Sequence, residues 1–168
     1  MRKEILIIGV GNDIRGDDAM GLIVARNLRE RALQGVRVIE EKGDGGMLME
    51  LWEGAQCVIV VDAIASEGIP GEIIHIDAIK KPLPQKFFRY STHAFSLAEA
   101  VELARTLGRL PSQLFVYGIE GSSFAIGTGL SLLVQSKMPE LVKRIEKDVR
   151  ELLGRRLLET RISPIYPL

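Results

Sequence analysis

The sequence has little cysteine, no net charge and no long apolar run. Its 168 residues include one cysteine, Cys57, so no internal disulfide can form, as is typical of proteins in a reducing cytoplasm. The 22 basic residues balance 22 acidic ones, which excludes the basic surface that nucleic acid or an anionic membrane attracts. No stretch approaches the roughly 20 apolar residues of a membrane span, and the short apolar start is unlike a signal peptide. We therefore expect a cytoplasmic monomer without nucleic-acid or membrane-inserted partners, with Cys57 in its core.

Strand-like apolar runs alternate with amphipathic helical patterns, which predicts a three-layer α/β/α sandwich with a mostly parallel central sheet. The strand predicted at residues 72–78 follows its predecessor after only IASEGIPG, too short for the crossover that a parallel neighbour needs. It should be the one antiparallel strand. A final helix is predicted over about 139–153, with Pro139 in its first turn. We expect residues 1–153 to form a single domain and residues 154–168 a loosely ordered C-terminal tail.

Acidic residues follow two of the predicted parallel strands. The turn GVGNDIRGDDAMGL carries Asp17 and Asp18 after the first strand, and Asp62 ends the third strand in VVDAI. Because the carboxyl ends of parallel strands share one edge, Asp18 and Asp62 should meet there. The segment after the antiparallel strand is long enough to bring His93 of STHAFSL to the same edge. Two carboxylates and an imidazole suit nickel, zinc or iron, so the pattern predicts a metal site.

These acids also have structural interpretations, because the first helix is predicted to run from about Asp17 to Leu33. Acidic residues at a helix start can cap amides and complement the helix dipole, and for Asp17 this interpretation is favoured. The beginning of GVGNDI also resembles a dinucleotide fingerprint, and Glu40 and Glu41 end the second strand, where a ribose-binding acid would lie. However, Ile14 stands where the third glycine belongs, and the acidic pair crowds the pyrophosphate position. A non-catalytic metal- or nucleotide-binding module using the same crevice is the alternative.

Four motifs, taken in order and spacing, resemble the hydrogenase maturation endopeptidases, which process the large-subunit precursor of nickel-iron hydrogenases. The motifs are GVGNDIRGDDAMG, VVDAI, STHAFSLAEA, and YGIEG followed by GTGLS. The resemblance extends over nearly the whole chain, to about Leu153. Two positions depart from the family pattern: Ala19 replaces a frequent glycine after the acidic pair, and Leu132 replaces the usual proline after GLS. The second departure leaves the start of the final helix undefined.

The resemblance implies an endopeptidase that removes a short C-terminal extension from the precursor. By motif, the family's metal-binding residues correspond to Asp18, Asp62 and His93, which would engage nickel supplied by the precursor and take part in catalysis. A metal would polarise the scissile carbonyl or activate water; alternatively, one carboxylate is a general base and its partner is protonated. The loops KGDGGM and EGSSFAIGTG are expected to form the walls of the substrate groove. A chaperone-like protein that binds the precursor without cutting it is a further alternative.

Overall fold

A five-stranded sheet lies between two pairs of helices in the computed structural model, which describes residues 4–88 and 95–162. The strands are β1 (Ile5–Val10), β2 (Val36–Glu41), β3 (Cys57–Ile64), β4 (Ile73–Asp77) and β5 (Gln113–Glu120). The helices are α1 (Met20–Glu30), α2 (Gly45–Trp52), α3 (Leu97–Thr106) and α4 (Leu132–Ile162). Short 3-10 helices occur at Gly16–Ala19 and Gln85–Phe88.

The strand order is β2-β1-β3-β5-β4, and only β4 runs antiparallel to its neighbour. Every residue of β1 and β3 is buried, as expected for central strands covered on both faces. The predicted three-layer sandwich is confirmed, and so is the antiparallel strand. Its direction follows from the short connection after β3, which leaves no room for a crossover helix.

Each face of the sheet packs against one pair of helices. Helices α2 and α3 cover one face, where Trp52 and Val101 are buried in a shared apolar cluster. Helices α1 and α4 cover the other face, where Val24 and Ile145 are buried. Within the described ranges, no helix is both long enough and apolar enough to cross a membrane.

Helix α1 crosses the sheet at very short range. A Cβ atom on Gly21 would lie 2.1 Å from the carbonyl oxygen of Val10 and 2.4 Å from that of Val61. Only glycine allows this approach, because ordinary carbon–oxygen contacts are more than 3 Å long. The crossing places the start of α1 directly against the carboxyl ends of β1 and β3.

Two helix boundaries differ from the sequence prediction. The first helix, expected from about Asp17, begins with a 3-10 turn before α1. The final helix, predicted over 139–153, spans Leu132–Ile162 and contains Pro139 in its interior. Residues 154–162, predicted as the start of a tail, therefore continue the helix, and residues 163–168 lie outside the described residues. The hydroxyl of Ser131 accepts a 3.4 Å hydrogen bond from Val134 N–H at the actual helix start.

Candidate active site

Asp18 and Asp62 line one crevice at the carboxyl edge of the sheet. Asp18 belongs to the 3-10 turn after β1, and Asp62 belongs to β3, which pairs with β1 in parallel. Asp62 is only 8% exposed, whereas Asp18 is half-buried. The structure thus brings together the two acids that the sequence placed on this edge.

The surroundings of both carboxyl groups favour their protonated forms. Burial, followed by the negative charge of Asp18, raises the pKa of Asp62 well above its usual value, and a backbone hydrogen bond from Ala63 opposes this. Burial also raises the pKa of Asp18, against the opposing effects of the Arg15 charge and a hydrogen bond with the backbone of Asn12. Two such groups resist simultaneous ionisation. The pair can therefore hold one proton, with one member able to donate it and the other able to accept one.

The glycine-rich turn serves to position Asp18. A Cβ atom on Gly11 would lie 1.9 Å from the carbonyl oxygen of Asp18, and the Asn12 N–H donates a 3.3 Å hydrogen bond to that oxygen. The turn can fold back onto the 3-10 helix only because residue 11 has no side chain. The glycine therefore allows the carboxylate to reach the crevice.

Asp17 has a different role from its neighbour. Its side chain is fully buried, and its carboxylate accepts backbone N–H hydrogen bonds from Ser122 at 2.8 Å, Ser123 at 3.0 Å and Ser131 at 2.7 Å. Asp17 has the structural role that the sequence favoured for it, but the amides that it caps belong to the loop after β5 and not to its own helix. Consecutive acids in one turn thus contact different parts of the molecule.

Loops from both predicted walls line the crevice. Lys42 and Gly43 of the loop KGDGGM line it, and so does Phe124 of the loop EGSSFAIGTG. Phe87 and Phe88, which the sequence analysis did not single out, complete the apolar lining. These two residues could have been predicted from the sequence, because they are adjacent aromatic residues in the segment that leads from β4 back to the carboxyl edge of the sheet. The crevice has a volume of about 20 Å³, which is enough for one water-sized ligand.

The third predicted site residue, His93, lies outside the described residues. The described residues Phe88 and Leu97, on either side of it in the sequence, both line the crevice. Within residues 4–88 and 95–162, no three His, Cys, Asp or Glu side chains form a cluster suited to a metal ion. Among the described residues that line the crevice, Asp18 and Asp62 carry the carboxyl groups, which are of a type that can bind a metal ion.

One of the two acids on which the dinucleotide alternative rests, Glu40, is already engaged in ion pairs. The Glu40 carboxylate accepts hydrogen bonds from Arg26 at 2.9 Å and from Arg29 at 2.7 Å. These ion pairs lower the pKa of Glu40 and occupy both of its oxygens. This arrangement favours a structural role for Glu40 over ribose binding.

Cys57 and His75 lie away from the crevice. Cys57 is fully buried, and this burial raises the pKa of its thiol to about 11, which makes it a poor nucleophile. The His75 ring stacks on Tyr117 with a 4.3 Å separation between ring centres, beside the C-terminal half of α4. Cys57 therefore has the core position that the sequence predicts, and the stacking contact indicates a structural role for His75.

Comparisons with known proteins agree on one family. A family model described as hydrogenase maturation protease matches residues 22–148. A Methanocaldococcus jannaschii protein described as a putative hydrogenase maturation protease is 33% identical over 159 residues, covering 91% of this chain and 96% of that protein. The hydrogenase 2 maturation protease of Escherichia coli is 27% identical over 152 residues, covering 88% and 92%. The structure of the E. coli hydrogenase maturating endopeptidase HybD aligns with a TM-score of 0.73 at 23% identity, covering 88% and 93%, and has the same fold.

Proposed function

The chain belongs to the hydrogenase maturation protease family and is a peptidase, and on this basis we propose that it removes the C-terminal extension of a nickel-loaded [NiFe]-hydrogenase large-subunit precursor. The observation that carries the proposal is the convergence of Asp18 and Asp62 in one crevice. A pair of carboxylates that shares a proton can perform both proton transfers of peptide hydrolysis. The adjoining apolar walls offer contacts to a peptide segment.

Within this pair, Asp18 is better suited to be the general base. It is more exposed than Asp62, and the charge of Arg15 stabilises its ionised form. Asp18 would accept a proton from water as the water oxygen bonds to the scissile carbonyl carbon. Asp62, the more buried group, would hydrogen-bond through its proton to the carbonyl oxygen and so stabilise the developing negative charge. As the carbon–nitrogen bond breaks and the carbonyl re-forms, Asp18 would pass the proton that it took from water to the leaving amine nitrogen.

Nickel enters this proposal as part of the substrate. Carboxylate and imidazole groups are suitable ligands for nickel, and Asp18, Asp62 and His93 would bind the ion carried by the precursor when both carboxyl groups are ionised, as an alternative to the shared-proton mechanism. Two carboxylates at the crevice fit this donor set. A bound ion would polarise the scissile carbonyl or increase the acidity of a water molecule. We also propose that processing occurs in the cytoplasm, since the lone cysteine is a free thiol.

Intact-mass analysis of the precursor tests the proposal. Nickel-loaded and nickel-free precursor are each incubated with wild-type protein, with Asp62→Asn and with Glu146→Gln. Glu146 is a matched control because it is also a carboxylate that is 8% exposed, but it pairs with Arg31 at 3.1 Å, away from the crevice. We expect only the wild type and Glu146→Gln to release a C-terminal peptide, and only from nickel-loaded precursor.

The other outcomes separate the parts of the proposal. Cleavage by Asp62→Asn at the wild-type rate would remove Asp62 from the chemistry. Equal cleavage without nickel would remove the metal from recognition. Binding of every nickel-loaded precursor without any change in mass would instead support a non-catalytic binding protein.

A further inference from the structure

The loop at residues 121–131, between β5 and α4, is joined to the site turn through its backbone. Asp17 N–H donates to the Ser123 carbonyl oxygen at 2.8 Å, and Gly16 N–H donates to that of Thr128 at 3.1 Å. In the opposite direction, Gly127 N–H donates to the Ile14 carbonyl oxygen at 2.8 Å. The loop is therefore bonded along its length to the turn that carries Asp18.

The carboxylate of Asp17 fixes both ends of this loop. Its Oδ2 atom accepts the N–H groups of Ser122 and Ser123, and a 3.5 Å contact from the Ser122 hydroxyl. Its Oδ1 atom accepts the N–H of Ser131, the residue before α4. Hydrogen bonds to a charged acceptor are stronger than neutral ones, and a buried amide that loses its acceptor is costly. One side chain thus determines where the loop begins and where it ends.

Phe124 lies between these anchor points and forms part of the crevice lining. Its ring packs over Gly121, where a Cβ atom would lie 2.5 Å from the ring, and it faces the same crevice as Asp18 and Asp62. The position of the ring therefore depends on the backbone of residues 122–123, which Asp17 holds. Neighbouring Ile126 is 74% exposed, so the loop also presents apolar surface outward.

We propose that Asp17 is a positioning residue of the peptidase: through its three amide hydrogen bonds it holds the loop at residues 121–131 as a preformed wall against which the substrate peptide binds. This inference rests on the proposed function. Asp18 acts on the reacting bond, whereas Asp17 sets the place of Phe124, which contacts an apolar side chain beside the scissile bond. A wall ordered in advance lowers the entropic cost of binding. Losing the anchor should therefore weaken substrate binding more than it slows the chemical step.

The test is steady-state kinetics on a nickel-loaded large-subunit precursor that the wild-type protein cleaves. Asp17→Asn keeps the shape of the side chain but turns an NH₂ group toward amides that need an acceptor. We expect KM to rise roughly tenfold while kcat stays within about threefold of wild type. Glu146→Gln, which neutralises a buried carboxylate away from the crevice, should leave both constants unchanged.

A double-mutant cycle distinguishes positioning from general destabilisation. Phe124→Ala should raise KM by itself, and adding Asp17→Asn should raise it little further, because Asp17 acts through the position of that ring. If Asp17→Asn does not fold, Ser131→Pro tests the same point, since it removes one of the three amide donors while Asp17 stays in place, and Ser131→Ala controls for the loss of the hydroxyl that accepts the Val134 N–H. It should raise KM in the same direction by a smaller factor.

Three results would overturn the inference. They are an unchanged KM in Asp17→Asn or in Ser131→Pro, a loss confined to kcat, and fully additive effects of Asp17→Asn and Phe124→Ala. In each case the wild type still cleaves, so the proposed function stands. If the wild type cleaves no nickel-loaded precursor, it is the proposed function that fails.

Discussion

Substitution of Gly21 by alanine tests the close crossing of α1 over the sheet. The new methyl carbon would lie 2.1 Å from the Val10 carbonyl oxygen and 2.4 Å from that of Val61. Both atoms belong to the backbone of central strands and cannot rotate away. The helix must therefore move outward or the strands must separate, and either change loosens packing on both sides of α1.

The expected cost of this substitution is large for one methyl group. Overpacking a core costs about 1–3 kcal/mol, and rigid backbone neighbours place Gly21 near the upper end. The higher helix propensity of alanine offsets up to about 1 kcal/mol of this loss in unfolding free energy. The net loss in unfolding free energy is then about 2 kcal/mol, which lowers Tm by about 4–8 °C for a domain of this size.

Thermal and urea unfolding of Gly21→Ala and of Gly154→Ala provide the measurement. Gly154 lies within α4, and a Cβ atom added there would have no heavy atom within 4 Å other than those of its chain neighbours and of the nearby backbone of its own helix. The same chemical change there should stabilise the protein by up to about 1 kcal/mol, through helix propensity alone. Opposite signs for the two variants are expected. A Gly21→Ala protein as stable as the wild type would show that the helix and sheet do not approach as described.

Two further predictions concern buried titratable groups. Asp62→Asn should be more stable than the wild type in urea unfolding, and the difference in unfolding free energy should grow as the pH is raised from about 4 toward the raised pKa of Asp62. The reason is that the folded wild type holds the Asp62 proton more tightly than the unfolded chain does, so the wild type loses stability over this pH range. A difference that shrinks as the pH rises would contradict this sign. Burial raises the pKa of Cys57 to about 11, so a thiol reagent at about pH 8 should modify it only at the rate of unfolding. Rapid modification of the native protein would refute its buried position.

The direction of β4 was predictable because it follows from the length of the segment that joins β3 to β4. IASEGIPG cannot hold a crossover, whatever the rest of the chain does. The start of α4 was not predictable in this way, because Pro139 is typical of a first helical turn and yet lies inside this helix. The seven residues before Pro139 are also helical, and Ser131 directly precedes the first of them. The serine before Leu132 was the available signal.

The candidate site could be predicted in part for a similar reason. Asp18 and Asp62 follow neighbouring parallel strands, so topology alone brings them to one edge. The partners of Asp17 are 105, 106 and 114 positions away along the chain. The sequence around residue 17 cannot predict hydrogen bonds from backbone amides of a loop that lies so far along the chain. The sequence therefore indicated that Asp17 caps amides, but not which amides it caps.

The dependence of residue 17 on Ser131 has a consequence for synthesis on the ribosome. Both crevice acids emerge early, but the last amide that the Asp17 carboxylate accepts is made 114 residues after it. A nascent chain that stops before Ser131 contains Asp18 and Asp62 and lacks the end of the wall. The wall of the groove is therefore completed only after Ser131 has been made, so that shorter nascent chains carry the acids without a finished groove in which to use them.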